Sequence, residues 1–596
     1  MARIDIRLNP EEEMAEFNRG HFLRLFSYLA PFRRTVIFAL VFVTLAVAGE
    51  VAVPYLIRVG IDEYILKDNF PGLVGIVGVF FGVLLFTTIS KRRQAYLTAW
   101  LGQRMLYRLR GEVFSHLQKL SFRYYDKEPS GKIMSRLTSD VRYLQDFLTN
   151  GLTTLFAAML QVIGILIVLF SLHPRLALLS LLTLPIVAIT VISLRKRIKL
   201  AHLEVRETMA NINANLQESI SGVRLVQAYA RQKVNEDHFD HVNLRNFKAT
   251  LRSWAYAGVF NPAVELASAG ATVLIIWYGA KSIASGNLSD GITVGIIAAF
   301  IAYVQQLYDP VRELSNIYNT MQSAMASADK IFHLLDTPPD VTEREDPIDL
   351  VDCRGHVQFH GVTFGYTQDK PVLHDINLDV RPGETIALVG PTGAGKTSII
   401  NLIARFYDPQ EGKVTLDGYD LKDLSFRSLR RNVAIVLQDN FLFSGTVREN
   451  IAYGRDDATD DEIIAAAKAV SADSFIRRLP DGYDTQVHER GGQLSEGQRQ
   501  LIAFARALLM DPKVLILDEA TSNVDPMTEA LVQQALETLL ADRTSFVIAH
   551  RLSTIRNADR ILVIQDGRIA QEGNHWELMK QGGMYRDLNE AALRHA

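Results

Sequence analysis

The sequence predicts an α-helical membrane domain of six spans with long cytoplasmic helical extensions, followed by an α/β domain of the phosphate-loop type. Three observations carry that prediction. Long apolar stretches crowd the first half of the 596-residue chain, a glycine-rich loop pattern lies at 390–397, and strand and helix patterns alternate beyond a proline- and acid-rich stretch near Asp336. The net charge of −3 offers no general grip on nucleic acid, so no nucleic-acid partner is expected. One cysteine, Cys353, leaves no intramolecular disulfide and no thiolate metal cluster within the chain.

The start, MARIDIRLNPEEEMAEF, is polar and acidic and does not read as a cleaved signal peptide. The stretch GHFLRLFSYLAPFRR mixes aromatic, leucine and arginine residues as a short interfacial helix does, so 1–34 is expected to be a cytoplasmic segment with an interfacial elbow helix. From Thr35 to Leu56 the only charge is Glu50, and about 20 such residues cross a bilayer. Pro71–Ser90, Phe147–Leu172, Leu176–Leu194, Trp254–Ala280 and Gly291–Tyr308 follow, which makes 35–325 the transmembrane domain. Arg24, Arg33 and Arg34 precede the first span, the loop IDEYILKDNF after it is net acidic, and Lys91–Arg93 and Arg195–Lys199 flank long connections. Basic flanks stay inside, so these connections and both termini are expected to be cytoplasmic. The connections Lys91–Asp146 and Arg195–Ser253 carry helical periodicity and are expected to extend the spans as helices. The segment DTPPDVTEREDP marks a linker at 326–354, and 355–596 is the second folded domain.

In that domain TIALVG reads as a strand, PTGAGKT as a loop and SIINLIARF as a helix. Gly390, Pro391, Thr392, Gly393, Ala394, Gly395, Lys396 and Thr397 fit the phosphate-loop pattern, in which backbone N–H groups at a helix N-terminus wrap phosphate oxygens. With the adjoining Ser398 they form the expected ATP-binding set. Lys396 would neutralise the β- and γ-phosphates, and Thr397 would offer a hydroxyl to Mg2+. A second apolar strand, VLILDE, ends in two carboxylates: Asp518 is placed to hold Mg2+, and Glu519 to polarise the attacking water.

LSEGQ at 494–498, just ahead of that strand, is similar to the LSGGQ signature of ATP-binding-cassette transporters. The chain resembles the half-transporter layout of the family's exporters, which have six spans fused to one cassette. By that resemblance Tyr366 in FGY stacks on adenine, Gln438 in VLQD is a switch residue that also approaches Mg2+, and His550 in IAHR meets the γ-phosphate beside the catalytic Glu519. It also implies that Ser495, Glu496, Gly497, Gln498 and Asp525 contact nucleotide held by a second subunit, and that Glu489 in HERGG senses the membrane domain. The tips of the inner connections, near Tyr124–Asp126 and Glu218–Gly222, are implied to couple the two domains. ATP-driven export of a drug-like, lipid or peptide substrate by alternating access is the implied activity. A cassette-gated channel or regulator, a membrane scaffold and an importer are the competing readings; the scaffold conflicts with the retained Glu519.

The signature departs from the family in having Glu496 where a glycine stands. A carboxylate there would face a partner's γ-phosphate, so a second half-transporter of different sequence is favoured over self-pairing, which stays open. Glu50, Glu265 and Gln305 lie in or beside spans and are candidates to line a cavity for an amphipathic substrate, or to bond neighbouring helices. Membrane lipid surrounds such a chain, and a bacterial plasma (inner) membrane suits this layout.

Overall fold

The structure is a computed structural model and describes residues 19–284, 291–367, 369–438, 440–488, 491–518, 526–548 and 552–595. They form two compact units, divided at more than one point of the chain. Met1–His116 and Gly131–Thr337 make the first, whereas Leu117–Ser130 belongs with Pro338–Ala596 in the second.

The first unit is helical throughout its apolar stretches, with helices at Arg33–Val59, Phe70–Leu117, Leu152–Leu172, Pro174–Leu181, Leu184–Ser221, Gln232–Ala257, Phe260–Ala284 and Val294–Asp336. Four helical runs among the described residues, Leu23–Ile65, Phe70–Leu117, Ser130–Leu172 and Gln232–Ala284, are long and apolar enough to cross a membrane. The 48-residue helix Phe70–Leu117 is about 70 Å long at 1.5 Å per residue, more than twice a bilayer's apolar core. The helical extensions therefore leave the lipid, as the periodicity predicts.

Leu176–Leu194 differs from the single span expected there. A new helix begins at Leu184 because Pro185 in its first turn lacks the amide hydrogen that would continue the preceding one. At the break, buried Thr183 shares a 2.6 Å hydrogen bond with the Tyr308 hydroxyl. Trp254–Ala280 is interrupted too, at Gly258, where one helix ends before Phe260 starts the next. Gly291–Tyr308 leads into helix Val294–Asp336, whose Phe300, Tyr303, Val304 and Tyr308 are buried against Ile165, Leu169, Val264 and Ile275. The Tyr303 hydroxyl donates to the Val51 carbonyl at 2.6 Å and so joins the first long helix to the last.

A helix, Arg19–Ser27, forms where an interfacial helix is expected, and it is tied down. Arg24 bonds Asp336 at 2.7 Å, and its guanidinium lies 4.6 Å from the centre of the Phe332 ring. At the other end of the long helices Asp62 accepts hydrogen bonds from Thr293 Oγ1 (2.5 Å) and Gly295 N (2.9 Å), so it helps Thr293 cap helix Val294–Asp336. Gly295 is needed for this approach, because a Cβ there would lie 2.6 Å from the Arg58 carbonyl oxygen. Losing such a cap costs about 1–2 kcal/mol. Asp62→Ala is expected to lower the melting temperature of the detergent-solubilised protein by a few degrees, and an unchanged melt would show that the cap is not limiting.

The described residues of the second unit form three sheets. Strands β1 (Val357–Phe364), β2 (Leu373–Val380), β3 (Thr385–Val389), β4 (Glu411–Leu416), β5 (Tyr419–Asp420), β6 (Val433–Val436), β7 (Gly445–Thr446) and β8 (Gln486–Val487) are followed by β9 (Val514–Asp518), β10 (Thr544–Ile548), β11 (Arg560–Gln565) and β12 (Arg568–Gly573). The central sheet runs β12-β11-β3-β10-β9-β6; its strands from β11 to β6 are parallel and β12 is antiparallel. Their unbroken apolar runs, such as VLIL in β9 and FVI in β10, fit a sheet covered on both faces. An antiparallel sheet, β2-β1-β4-β5, packs with one face of β3 and helix Lys396–Ile403 into one hydrophobic cluster. Helices Asp460–Ala469 and Glu496–Leu509 pack with β6, β9 and β10 into a second cluster.

Leu117–Ser130 folds as part of this unit. Its helix Phe122–Lys127 places the Phe122 ring 4.2 Å from that of Phe406, Arg123 lies 3.3 Å from Asp340, and Asp340 N donates to Ser121 Oγ at 3.0 Å. The Tyr407 hydroxyl donates to Asp126 across 281 residues of sequence.

Candidate active site

Parallel pairing sets the site. Ile548 lies opposite Asp518, and β3 lies between β10 and β11, so the carboxyl ends of β3, β6, β9 and β10 share one edge of the sheet. In open α/β sheets ligands bind beyond this edge. The loop from Gly390 to Gly395 leaves β3 there and enters helix Lys396–Ile403. Gly390 (φ +149°), Gly393 (+82°) and Gly395 (+108°) have backbone angles that side chains disfavour, and a Cβ on Gly390 would come within 2.2 Å of the Ile564 carbonyl oxygen. The loop is shaped by its neighbours as well as by its glycines.

Lys396 reaches back over this loop, its Nζ donating to the carbonyls of Gly390 (2.8 Å) and Pro391 (2.9 Å). Burial lowers its pKa, and the negative charge of Asp518 at the end of β9 opposes that shift. Lysine and aspartate thus lie near enough to interact. Pro391, Thr392, Gly393 and Thr397 are exposed on the loop and first helical turn, whereas Ala394 is buried. Ser398 is turned inward, its hydroxyl 3.2 Å from that of Tyr366, which places it in the wall behind the loop. Gln438 is exposed two residues beyond β6, at the same sheet edge. Glu519, Asp525, His550 and Glu489 lie outside the described residues.

Tyr366 stands beside the phosphate-loop helix. Its hydroxyl meets Ser398 Oγ and accepts from Asn401 Nδ2 at 3.3 Å, and its ring sits edge-on to Tyr407 with centroids 5.2 Å apart. The three residues after the helix's C-cap Ala404 escape sequence reasoning altogether. Arg405 is 3% exposed, adopts a left-handed φ of +49°, and donates to the Thr342 carbonyl at 2.8 Å. Phe406 carries the Arg430 guanidinium over its ring at 5.0 Å as well as the Phe122 contact. Tyr407 is 3% exposed, and burial followed by its bond to Asp126 raises the pKa of its phenol. Two adjacent aromatics after an amphipathic helix were the available signal, but they read equally well as core.

The signature residues belong to the other half of the unit. Ser495 caps helix Glu496–Leu509: its Oγ accepts from Gln498 N (3.3 Å), and Gln498 Oε1 accepts from Ser495 N (3.0 Å). This reciprocal capping box was legible as S-x-x-Q. Glu496 occupies the first turn, where the helix N-terminus favours a negative charge, and Gly497 behind it is buried. Leu501, Ile502 and Phe504 anchor this helix in the second cluster, whereas Ile399, Ile400 and Ile403 anchor the phosphate-loop helix in the first.

The three proposed cavity residues sit on different helices of the first unit. The Glu50 carboxylate forms an ion pair with Lys91, whereas Glu265 and Gln305 fall on the exposed sides of Phe260–Ala284 and Val294–Asp336. Glu50 is therefore neutralised within the chain.

A phosphate loop at the edge of a parallel sheet, fused behind a helical membrane unit, defines a membrane transport ATPase. The chain belongs to the ABC transporter family, in the fused arrangement of its exporters: residues 36–311 match the family described as ABC transporter transmembrane region, and 373–522 the family described as ABC transporter. It is 41% identical over 577 residues to the uncharacterized ABC transporter ATP-binding protein YknV of Bacillus subtilis (strain 168), covering 96% of this chain and 95% of that one. It is 37% identical to an ATP-dependent lipid A-core flippase of Desulfotalea psychrophila, over 96% of this chain and 99% of that protein. The putative multidrug export ATP-binding/permease protein YgaD of Bacillus subtilis is 36% identical over the same shares. A solved bacterial Atm1-family ABC exporter with ATP bound superposes with a TM-score of 0.75 at 30% identity, covering 94% of this chain and 98% of that one. This protein is accordingly a multi-pass membrane ATPase that binds ATP and couples its hydrolysis to export.

Proposed function

We propose that the protein exports an amphipathic lipid or drug-like molecule by alternating access, with ATP held between its own phosphate loop and the signature helix of a second half-transporter. The observation that carries this reading is the separation of the two elements: the loop and Ser495 are anchored in different hydrophobic clusters, each at a helix N-terminus suited to phosphate. Relatives described as a lipid A-core flippase and a multidrug exporter support the substrate class. The basic flanks of the spans support cytoplasmic termini in a bacterial inner membrane.

Within the site, Lys396 would exchange its two carbonyl partners for β- and γ-phosphate oxygens. Thr397 and Asp518 would hold Mg2+, which usually takes one or two carboxylates with phosphate and water, so one carboxylate and one hydroxyl make a fitting donor set. When bound, the ion offsets phosphate charge. Tyr366 would carry the adenine, Gln438 would respond to the γ-phosphate, and Glu519 with His550 would orient the attacking water. Closure around ATP and its release after hydrolysis would then bias the membrane helices between two arrangements. Export is tested by ATP-dependent movement of a fluorescent lipid, and of a cationic dye, in proteoliposomes; movement of neither would remove this substrate class.

Glu496 favours a heterodimer. Two unit charges about 5 Å apart near a protein surface repel by roughly 3 kcal/mol. A helix N-terminus returns only about 0.3–1 kcal/mol, so the repulsion from a partner's γ-phosphate wins. Glu496→Gly is expected to raise the ATPase rate of the self-paired chain by roughly tenfold, the equivalent of about 1.4 kcal/mol. An unaltered rate, together with brisk wild-type turnover in the absence of any partner, would establish a competent homodimer instead.

A further inference from the structure

Tyr407 touches both the nucleotide side and the coupling side of its unit. Its ring meets Tyr366 edge-on at 5.2 Å and Phe364 at 5.5 Å, and its buried hydroxyl is anchored on Asp126. Tyr366 in turn is fixed at two points: its hydroxyl by Ser398 and Asn401 of the phosphate-loop helix, and its ring edge by Tyr407. The adjacent Phe406 ring is pressed on Phe122, so two neighbouring side chains grip the same short helix, Phe122–Lys127.

We propose that Tyr407 is a positioning residue that conveys the docking of Leu117–Ser130 to the aromatic wall receiving the nucleotide base. This rests on the reading of Tyr366 as the adenine platform. With Asp126 engaged, the Tyr407 ring has one orientation and holds the Tyr366 ring in place; with Asp126 withdrawn, the buried phenol loses its charged partner and the platform loosens. Docking of Leu117–Ser130 therefore strengthens ATP binding, and by linkage ATP strengthens docking by the same factor. The effect is expected to fall on the base, because Lys396 is held by the carbonyls of Gly390 and Pro391, whereas Tyr366 is held by Ser398 and Asn401 further along the helix.

The test is calorimetric titration of the full-length protein in lipid nanodiscs with magnesium ATP and with magnesium tripolyphosphate, which has the phosphates and no base. Tyr407→Phe and Asp126→Asn are each expected to weaken ATP binding about threefold to tenfold, the range of one partly solvated charge-assisted hydrogen bond, with tripolyphosphate binding unchanged. The double variant is expected to lose no more than either single one, since both remove the same bond. Wild-type ATP affinity in both single variants overturns the relay, and so does equal weakening of ATP and tripolyphosphate, which would mean that the whole loop had moved. Tyr366→Leu separates the two readings. Unchanged ATP binding in that variant removes the adenine platform and the relay with it, whereas weakened binding there beside intact binding in the other two overturns the relay alone.

Discussion

Replacing Lys396 by alanine is expected to lower ATP turnover by at least about a hundredfold and to weaken ATP binding in parallel. The ammonium is the only basic side chain of the phosphate-loop pattern, and it already spans the loop between the carbonyls of Gly390 and Pro391. In the proposed role its removal would take away a charge-assisted contact to each of two phosphates, each worth about 1.5–3 kcal/mol, so a loss of roughly 3 kcal/mol is a conservative figure. That corresponds to a little over a hundredfold. Burial disfavours the charged ammonium while Asp518 favours it, so the lysine is held where one strong anion can draw it away from the carbonyls. ATPase assay and calorimetric titration of Lys396→Ala check this, and turnover within tenfold of wild type would contradict the assigned role. Lys396→Arg is a useful companion, since it keeps the charge in a bulkier, forked group.

Glu519→Gln is expected to behave differently, losing hydrolysis while keeping ATP. A positioned general base contributes about 10²–10⁴-fold, and glutamine preserves the shape while removing the proton acceptor. The binding energy proposed to come from Lys396, the loop amides and Tyr366 would not depend on that carboxylate, so the variant should retain unhydrolysed ATP and accumulate the proposed nucleotide-closed pair. Turnover and retained nucleotide, measured together on the assembled transporter, decide the matter. Undiminished turnover would mean that Glu519 is not the base, and loss of binding would mean that it serves the fold instead. Together the two variants separate holding the phosphates from cleaving them.

Much of this was legible because its chemistry is local. The loop from Gly390 to Thr397 announces a strand-to-helix phosphate turn in eight consecutive residues, and the structure adds the left-handed angles and the Ile564 approach that make Gly390 necessary. The long apolar runs announced helices, although a proline and a glycine decided where they break. Ser495 shows the opposite case: the pattern S-x-x-Q is visible, but in the sequence its resemblance to the signature hides the capping role that the structure shows.

The amino-acid sequence by itself determined which residues can meet phosphate and which stretches are apolar enough for lipid, because both depend on neighbours in the chain. Only the tertiary structure decided that Leu117–Ser130 folds with the ATP-binding unit, that Glu50 is answered by Lys91, and that Tyr407 joins Tyr366 to Asp126. Such pairings connect residues up to 281 positions apart, and packing alone selects them from many partners of the same chemistry.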